Sequence, residues 1–420
     1  MRLRFWLGVT LVLALCAVFA WEAGPARTVG TFGIADIDGY PQQNRITACA
    51  RPLAAKPGVA AFRSLILSQV GGGDDGSAVC KEIANNSGAL SDHADGRAWD
   101  WHVQASSGTD RALVDRVLDW LLRPDERGNR NAMARRVGIT YIIWNHLYYR
   151  VGTDDAHWVP YTSTSDPHDT HVHFSFSVAG ASQRTSWWND RGPLNWLLSG
   201  EPDTALTFGR GPLVPLAGDW DGDGRDTVGG YDPSNRQFSI RNSTTTGAAT
   251  MTTAALGPFG SVPFAGNWDG VGGDEFGVYE PLTRQFDFYT LAGTEAQPSL
   301  VFGVAGDLPI IGDWNGDGID DIGVYRRDNR TFYQRMPGGL VRTQEFGGFD
   351  ETPVIGDWNG DGRADIGTFR PADNTFLLDI PTGTGDRVTR SPRLAGSRRL
   401  PVIGDWDGHG TDDEGLVATS

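Results

Sequence analysis

The segment Gly218-Asp219-Trp220-Asp221-Gly222-Asp223-Gly224 returns along the second half of the chain, and no other feature restricts the fold as much. It recurs at Gly266-Asn267-Trp268-Asp269, Gly312-Asp313-Trp314-Asn315, Gly356-Asp357-Trp358-Asn359 and Gly404-Asp405-Trp406-Asp407, with starts 48, 46, 44 and 48 residues apart. A fixed period in this range marks repeated supersecondary units that bury their apolar faces against one another. Each unit reads as four short strands. One such as Val354-Ile355 enters the acidic loop, one such as Ile322 to Tyr325 leaves it, a third resembles Arg284 to Tyr289, and a fourth ends near Phe302-Gly303 or Phe346-Gly347. Four strands per repeat predict an all-β, propeller-like domain of about five blades over residues 205–420. The last repeat stops after its second strand, and Ala205 to Gly209 can supply the missing outer part. Such a ring would remove the open sheet edges; an open array of blades is the alternative.

Charge follows the same division. Residues 201–420 hold 33 acids against 17 arginines and no lysine, whereas residues 1–200 hold 19 acids and 19 bases. The formal net charge of −16 therefore belongs to the repeats. An acidic surface excludes nucleic acid as a partner and favours cations. Asp313, Asn315, Asp317 and Asp321, and likewise Asp357, Asn359, Asp361 and Asp365, place oxygens at loop positions 1, 3, 5 and 9, with a tight-turn glycine at 6. Oxygen ligands at this density suit calcium, and the strand flanks exclude a helix-flanked EF-hand. Other loops depart: Thr227 stands at position 9 of the first, Val271 at position 5 of the second and His409 at position 5 of the fifth. The loop tryptophans are expected to pack between blades. These repeats resemble FG-GAP or VCBS repeats, which implies a calcium-stabilised propeller that attaches to a cell-wall polysaccharide or a protein partner.

The first half has another texture. Arg2, Arg4, the apolar run Leu7 to Phe19 and Val18-Phe19-Ala20 read as an export signal over residues 1–20, with an uncleaved membrane anchor as the rival. The chain is thus expected to be secreted. Cys49 and Cys80 then remain and predict one disulfide, the alternative being two buried thiols. Apolar spacing predicts a helix over 110–122, a second over 131–137, and strands at 139–144 and 171–176. Together they suggest an α+β domain over residues 30–188, joined to the repeats by a linker at 189–204.

Two stretches carry chemistry, Ser91 to Asp100 and His168 to His173. His171 and His173 stand two apart in a predicted strand and leave the same face. His93 and Asp100 bracket a turn containing Gly96, so both can point at one ion. Zinc on His93, Asp100 and one strand histidine keeps a position open for water, and a neighbouring histidine off the metal can carry its proton. His102 is a further histidine in the same region. Trp99 and Trp101 are read as packing residues.

Ser91-x-His93-x-x-Gly96-x-Ala98-x-Asp100 with His168-x-x-His171-x-His173 resembles the two motifs of VanY-like D-alanyl-D-alanine carboxypeptidases, over roughly residues 30–180. The resemblance implies an α+β zinc-peptidase domain with His93, Asp100 and His173 as ligands. His171 would be the base and His168 a second catalytic histidine. Ser91 is read as a residue that orients a ligand, with an ordinary loop cap as the alternative. Many such enzymes carry a carboxylate where this chain has His168, which leaves open a second register with His171 as ligand and His168 as base. The function so implied is an exported zinc metallopeptidase acting on peptidoglycan stem peptides. The alternative is a non-catalytic secreted protein that binds cell wall or carbohydrate.

Overall fold

A computed structural model describes residues 38–419 apart from 43–45, 47, 50–53, 78–89, 126–127, 154, 164–165, 190–191, 201–202, 381–386 and 391–396. The expected signal at 1–20 lies outside the described residues, as does Cys80, the expected partner of Cys49. Among the described residues no helix is long and apolar enough to cross a membrane. The chain is mostly β, built from several small antiparallel sheets with few helices.

The first sheet has six strands: β1 (Gly73–Gly76), β2 (Ala98–His102), β3 (Ile139–Trp144), β4 (Leu147–Arg150), β5 (Trp158–Pro160) and β6 (His171–Phe176). Their spatial order is β1-β2-β6-β3-β4-β5, every pair antiparallel. Successive strand residues face opposite sides. Trp99, Trp101, Phe174 and Phe176 therefore face helix α1 (Pro57–Gln69), whose Phe62 ring lies 6.0, 5.3 and 5.5 Å from Trp99, Phe174 and Phe176. Trp99 and Trp101 are fully buried, which accords with a packing role. Asp100, His171, His173 and Ser175 occupy the other face.

Helix α2 (Gly108–Leu122) begins one turn-fraction earlier than its apolar periodicity predicts, because Ser107 caps it by accepting the Asp110 N–H. It stops before Pro124. Its outer side meets the repeats: Trp120 packs 4.7 Å from Phe259, and Arg116 pairs with Glu280 at 2.9 Å. Arg327 donates to the Asp125 carbonyl (3.0 Å) and Arg236 to Gln69 (3.0 Å). The two halves thus share a core and polar contacts.

The repeats form five four-stranded antiparallel sheets. Their leading strands, Val214–Gly218, Val262–Gly266, Leu308–Gly312, Thr352–Gly356 and Ser397–Gly404, each touch the next, and the last touches the first, so the circuit is closed. In the closing sheet, Ser397–Gly404 and Asp413–Thr419 are completed by Pro193–Leu198 and Thr204–Arg210. This corrects the expected linker at 189–204. Leu194, Trp196 and Leu198 alternate inward and are buried, and the edge of Asp413–Thr419 needs a strand to pair its backbone.

A repeated latch joins the blades. The backbone N–H of Asp274 donates to the Asp219 carbonyl (2.6 Å), while its Oδ2 accepts the Asp219 N–H (2.9 Å). Asp320 does the same to Asn267 (2.9 and 2.8 Å), Asp412 to Asp357 (2.9 and 2.6 Å), and Asp226 to Asp405 (2.9 and 2.7 Å). Ala364 supplies only the backbone half, to Asp313 (2.8 Å). The repeat glycine is required by this approach: a methyl on Gly266 would lie 2.8 Å from Asp320 Oδ2, and on Gly404 2.7 Å from Asp226 Oδ2. The loop tryptophans are buried in the blades, and Trp268, Trp314 and Trp358 donate to Phe276, Ile322 and Ile366 carbonyls at 3.2, 3.2 and 3.3 Å.

Burial pushes the latch carboxyls up, with repulsion from neighbouring aspartates adding to it: Asp274 to about 8, Asp412 to about 7 and Asp320 to about 6. An aspartate in an unfolded chain titrates near 4. A group raised in this way contributes its full stability below the unfolded value and loses it as pH rises through the folded one. The melting temperature, measured with a chelator present, is therefore expected to fall from about pH 5 to about pH 8. Asp274→Asn, which keeps the acceptor, should flatten that slope, and an unchanged slope would remove the carboxyl as its cause.

Candidate metal centre

His93 sits on a 3-10 turn, Asp92–Asp95. Ser91 caps the turn by accepting the His93 N–H at 3.4 Å, so it positions the backbone of His93 and not a ligand side chain. Gly96 ends the turn at φ 76, and a Cβ there would come within 1.9 Å of the Ala54 carbonyl oxygen. Only glycine meets both demands. Asp100 stands directly opposite His173 in the β2–β6 ladder.

These elements bring His93, Asp100 and His173 together, with one donor atom of each within 4.8 Å of the others. His93 Nε2 lies 3.1 Å from Asp100 Oδ2 and 3.2 Å from His173 Nδ1, which lies 2.8 Å from Asp100 Oδ1. Burial acts to raise the Asp100 carboxyl, but hydrogen bonds and charge from His173 and His93 outweigh it and hold the group well below the usual carboxylate range.

A buried chain behind the trio sets the His173 ring. Ser175 donates to Asp92 Oδ2 at 2.7 Å, so its oxygen accepts from His173 Nε2 at 3.1 Å. In the neutral ring Nδ1 then holds the lone pair, and in the protonated ring it donates to Asp100. Nδ1 and Asp100 Oδ1 share a proton at 2.8 Å, and loss of that proton frees both as ligands. Two imidazoles and a carboxylate are a donor set that fits zinc. Asp92 is in turn held by Arg97 at 2.9 Å, and Arg97 also pairs with Asp95 (2.9 Å) and donates to the Phe176 carbonyl (2.6 Å). Ser175, Asp92 and Arg97 were not singled out in the sequence. The continued alternation His171-His173-Ser175, and two charges inside the first stretch, were the available signals.

His171 and His168 border the trio. His171 Nε2 lies 3.9 Å from Asp100 Oδ1. His168 is buried, and its ring centroid is 4.6 Å from that of His171 and 5.8 Å from that of His173. Burial, then the charge of His173, pushes His168 down to about 4. His102 turns away to Asp75 at 2.8 Å. Tyr141 stacks on His173 with centroids 5.5 Å apart and on Tyr148 at 5.4 Å, and Tyr161 meets His168 edge-on.

The acidic loops use their first residue as a backbone cap. Asp313 accepts from the N–H groups of Gly316 (2.6 Å) and Gly318 (2.7 Å), and Asp357 from Gly360 (2.7 Å) and Gly362 (2.8 Å). Asn315 donates to Asp321 (3.3 Å) and Asn359 to Asp365 (3.1 Å). Burial, then Asp317 and Asp313, raise Asp321 to about 6, and burial, then Asp361 and Asp357, raise Asp365 to about 7. Three carboxylates lie within 4.8 Å of one another in the first loop, at Asp219, Asp221 and Asp223.

Residues 53–172 match the family model of the VldE C-terminal domain. The match includes His93 and Asp100 and ends one residue before His173. It is not a peptidase family, and it overturns the VanY-like assignment and with it the hydrolase and metallopeptidase reading. The motif residues specify how donors converge on an ion, which chains of different ancestry can share. No curated protein matches the chain. Among solved structures, BBS1N in complex with ARL6DN is 12% identical at a TM-score of 0.27, covering 46% of this chain. The chain spans 62% of that protein's length. A streptogramin B lyase is 9% identical (TM-score 0.31; 68% of this chain, 94% of that one). Virginiamycin B lyase from Staphylococcus aureus is 10% identical (TM-score 0.31; 67% and 94%).

Removing Arg97 leaves Asp92 buried without its main partner. Arg97→Leu should destabilise the protein by about 3–5 kcal/mol in urea unfolding. A loss near that of a surface substitution would mean the buried chain does not support the site.

Proposed function

We propose that this chain is a metal-dependent binding protein for a carbohydrate-bearing cell-surface polymer, with zinc held by His93, Asp100 and His173. The observation that carries the reading is the convergence of those three donors, whose ligand atoms lie within 4.8 Å of one another. When bound, zinc offers its remaining position to an oxygen of the ligand. Tyr148 and Tyr161 are half-buried beside the histidines, and a ring face suits the C–H face of a sugar, while Tyr141 is stacked between His173 and Tyr148. The propeller supplies a second surface, steadied by calcium on Asp313, Asn315, Asp317 and Asp321 and on Asp357, Asn359, Asp361 and Asp365. The raised carboxyls of Asp321 and Asp365 support this, since a cation relieves like-charge crowding.

Calorimetric zinc titration of the full chain should show binding that His93→Ala and Asp100→Asn each weaken by at least about tenfold. Pull-down with isolated cell wall should succeed with zinc and fail after chelation. Retention that ignores chelator, or release of new termini from the polymer, would replace the binding reading. For calcium, adding the ion should raise the melting temperature of the chain, and Asp317→Asn with Asp361→Asn should abolish that rise. A rise kept in the double variant would move calcium to other loops.

A further inference from the structure

Four imidazoles and two carboxylates gather at this pocket: His93, His168, His171, His173, Asp100 and Asp166. One zinc with an open position uses three of them. The other three, Asp166, His168 and His171, form a second set, again with one donor atom of each within 4.8 Å of the others. The sets are joined by Asp100. Its Oδ2 is 3.1 Å from His93 Nε2, while Oδ1 faces both His173 Nδ1 at 2.8 Å and His171 Nε2 at 3.9 Å. Both oxygens thus face the first set, and Oδ1 lies between the two sets, where a carboxylate oxygen can serve a second cation.

His168 is prepared as a ligand. Its Nδ1 donates to the Asp166 carbonyl at 2.9 Å, which leaves Nε2 with the lone pair. Its backbone sits at φ 57, a left-handed conformation that a non-glycine residue holds only when surrounding contacts impose it. The Asn145 N–H to the His168 carbonyl, at 2.7 Å, is one such contact.

We infer that the pocket holds two divalent transition-metal ions, the second on Asp166, His168 and His171, with Asp100 bridging them. The inference rests on the metal-binding reading above. Native mass spectrometry of the full chain titrated with zinc, with excess calcium to occupy the acidic loops, tests it. His168→Ala with His171→Ala should bind one ion fewer than the wild type, and His93→Ala with His173→Ala should lose the first ion. Equal counts in the wild type and the His168/His171 variant overturn the second site. Equal counts in the wild type and the His93/His173 variant overturn the first centre instead. Manganese-loaded wild type should give an exchange-coupled paramagnetic resonance signal, as ions about 3.5–4 Å apart do. Uncoupled manganese overturns the inference without reliance on any variant.

Discussion

The gathering of His93, Asp100 and His173 depends on the pairing of β2 with β6. That ladder sets Asp100 opposite His173 and puts both on the face away from α1. Side-chain direction alternates with period two, so a slip of one residue would turn Asp100 into the core and Trp99 or Trp101 out of it. Fully buried Trp99, Trp101, Phe174 and Phe176 therefore hold the register that the polar residues use. The apolar face provides the stability, and the polar face inherits its geometry.

The same economy of residue types runs through the propeller, where aspartates do two different jobs. The first aspartate of a loop curls its own turn by accepting backbone N–H groups. The aspartate just before the next strand reaches across to the preceding blade. The second job buries carboxyls close together, as the raised values of Asp274, Asp320 and Asp412 record. Two hydrogen bonds per junction, repeated round a closed ring, offset that repulsion. Where Ala364 stands in place of aspartate, one bond remains and one buried charge is absent.

Much of this was readable beforehand because the signals are local. The acidic turn, its glycines and its tryptophan recur within a few residues of one another, so period and strand number followed directly. His171 and His173 on one strand face, and a turn between His93 and Asp100, needed only alternation and one glycine. Pro193–Leu198 reads as a linker in the sequence, since nothing local tells an apolar tether from a strand whose partner is more than 200 residues away. Ser175, Asp92 and Arg97 went unnoticed for a similar reason: their roles exist only once β6 lies against the turn. The family resemblance misled because the motifs encode a donor set, and a donor set is not a lineage.

By itself, then, the sequence determined the repeat period, the acidic character of the repeats and the residue types able to hold a metal, because each is a property of neighbours along the chain. Tertiary structure decided which histidine joins His93 and Asp100, which nitrogen of it faces the carboxylate, and how the ring closes. Those depend on atoms brought within about 3 Å by residues 73 to 179 positions apart. Contacts at such separations are set by burial of whole faces against one another, and no short pattern in the chain contains that information.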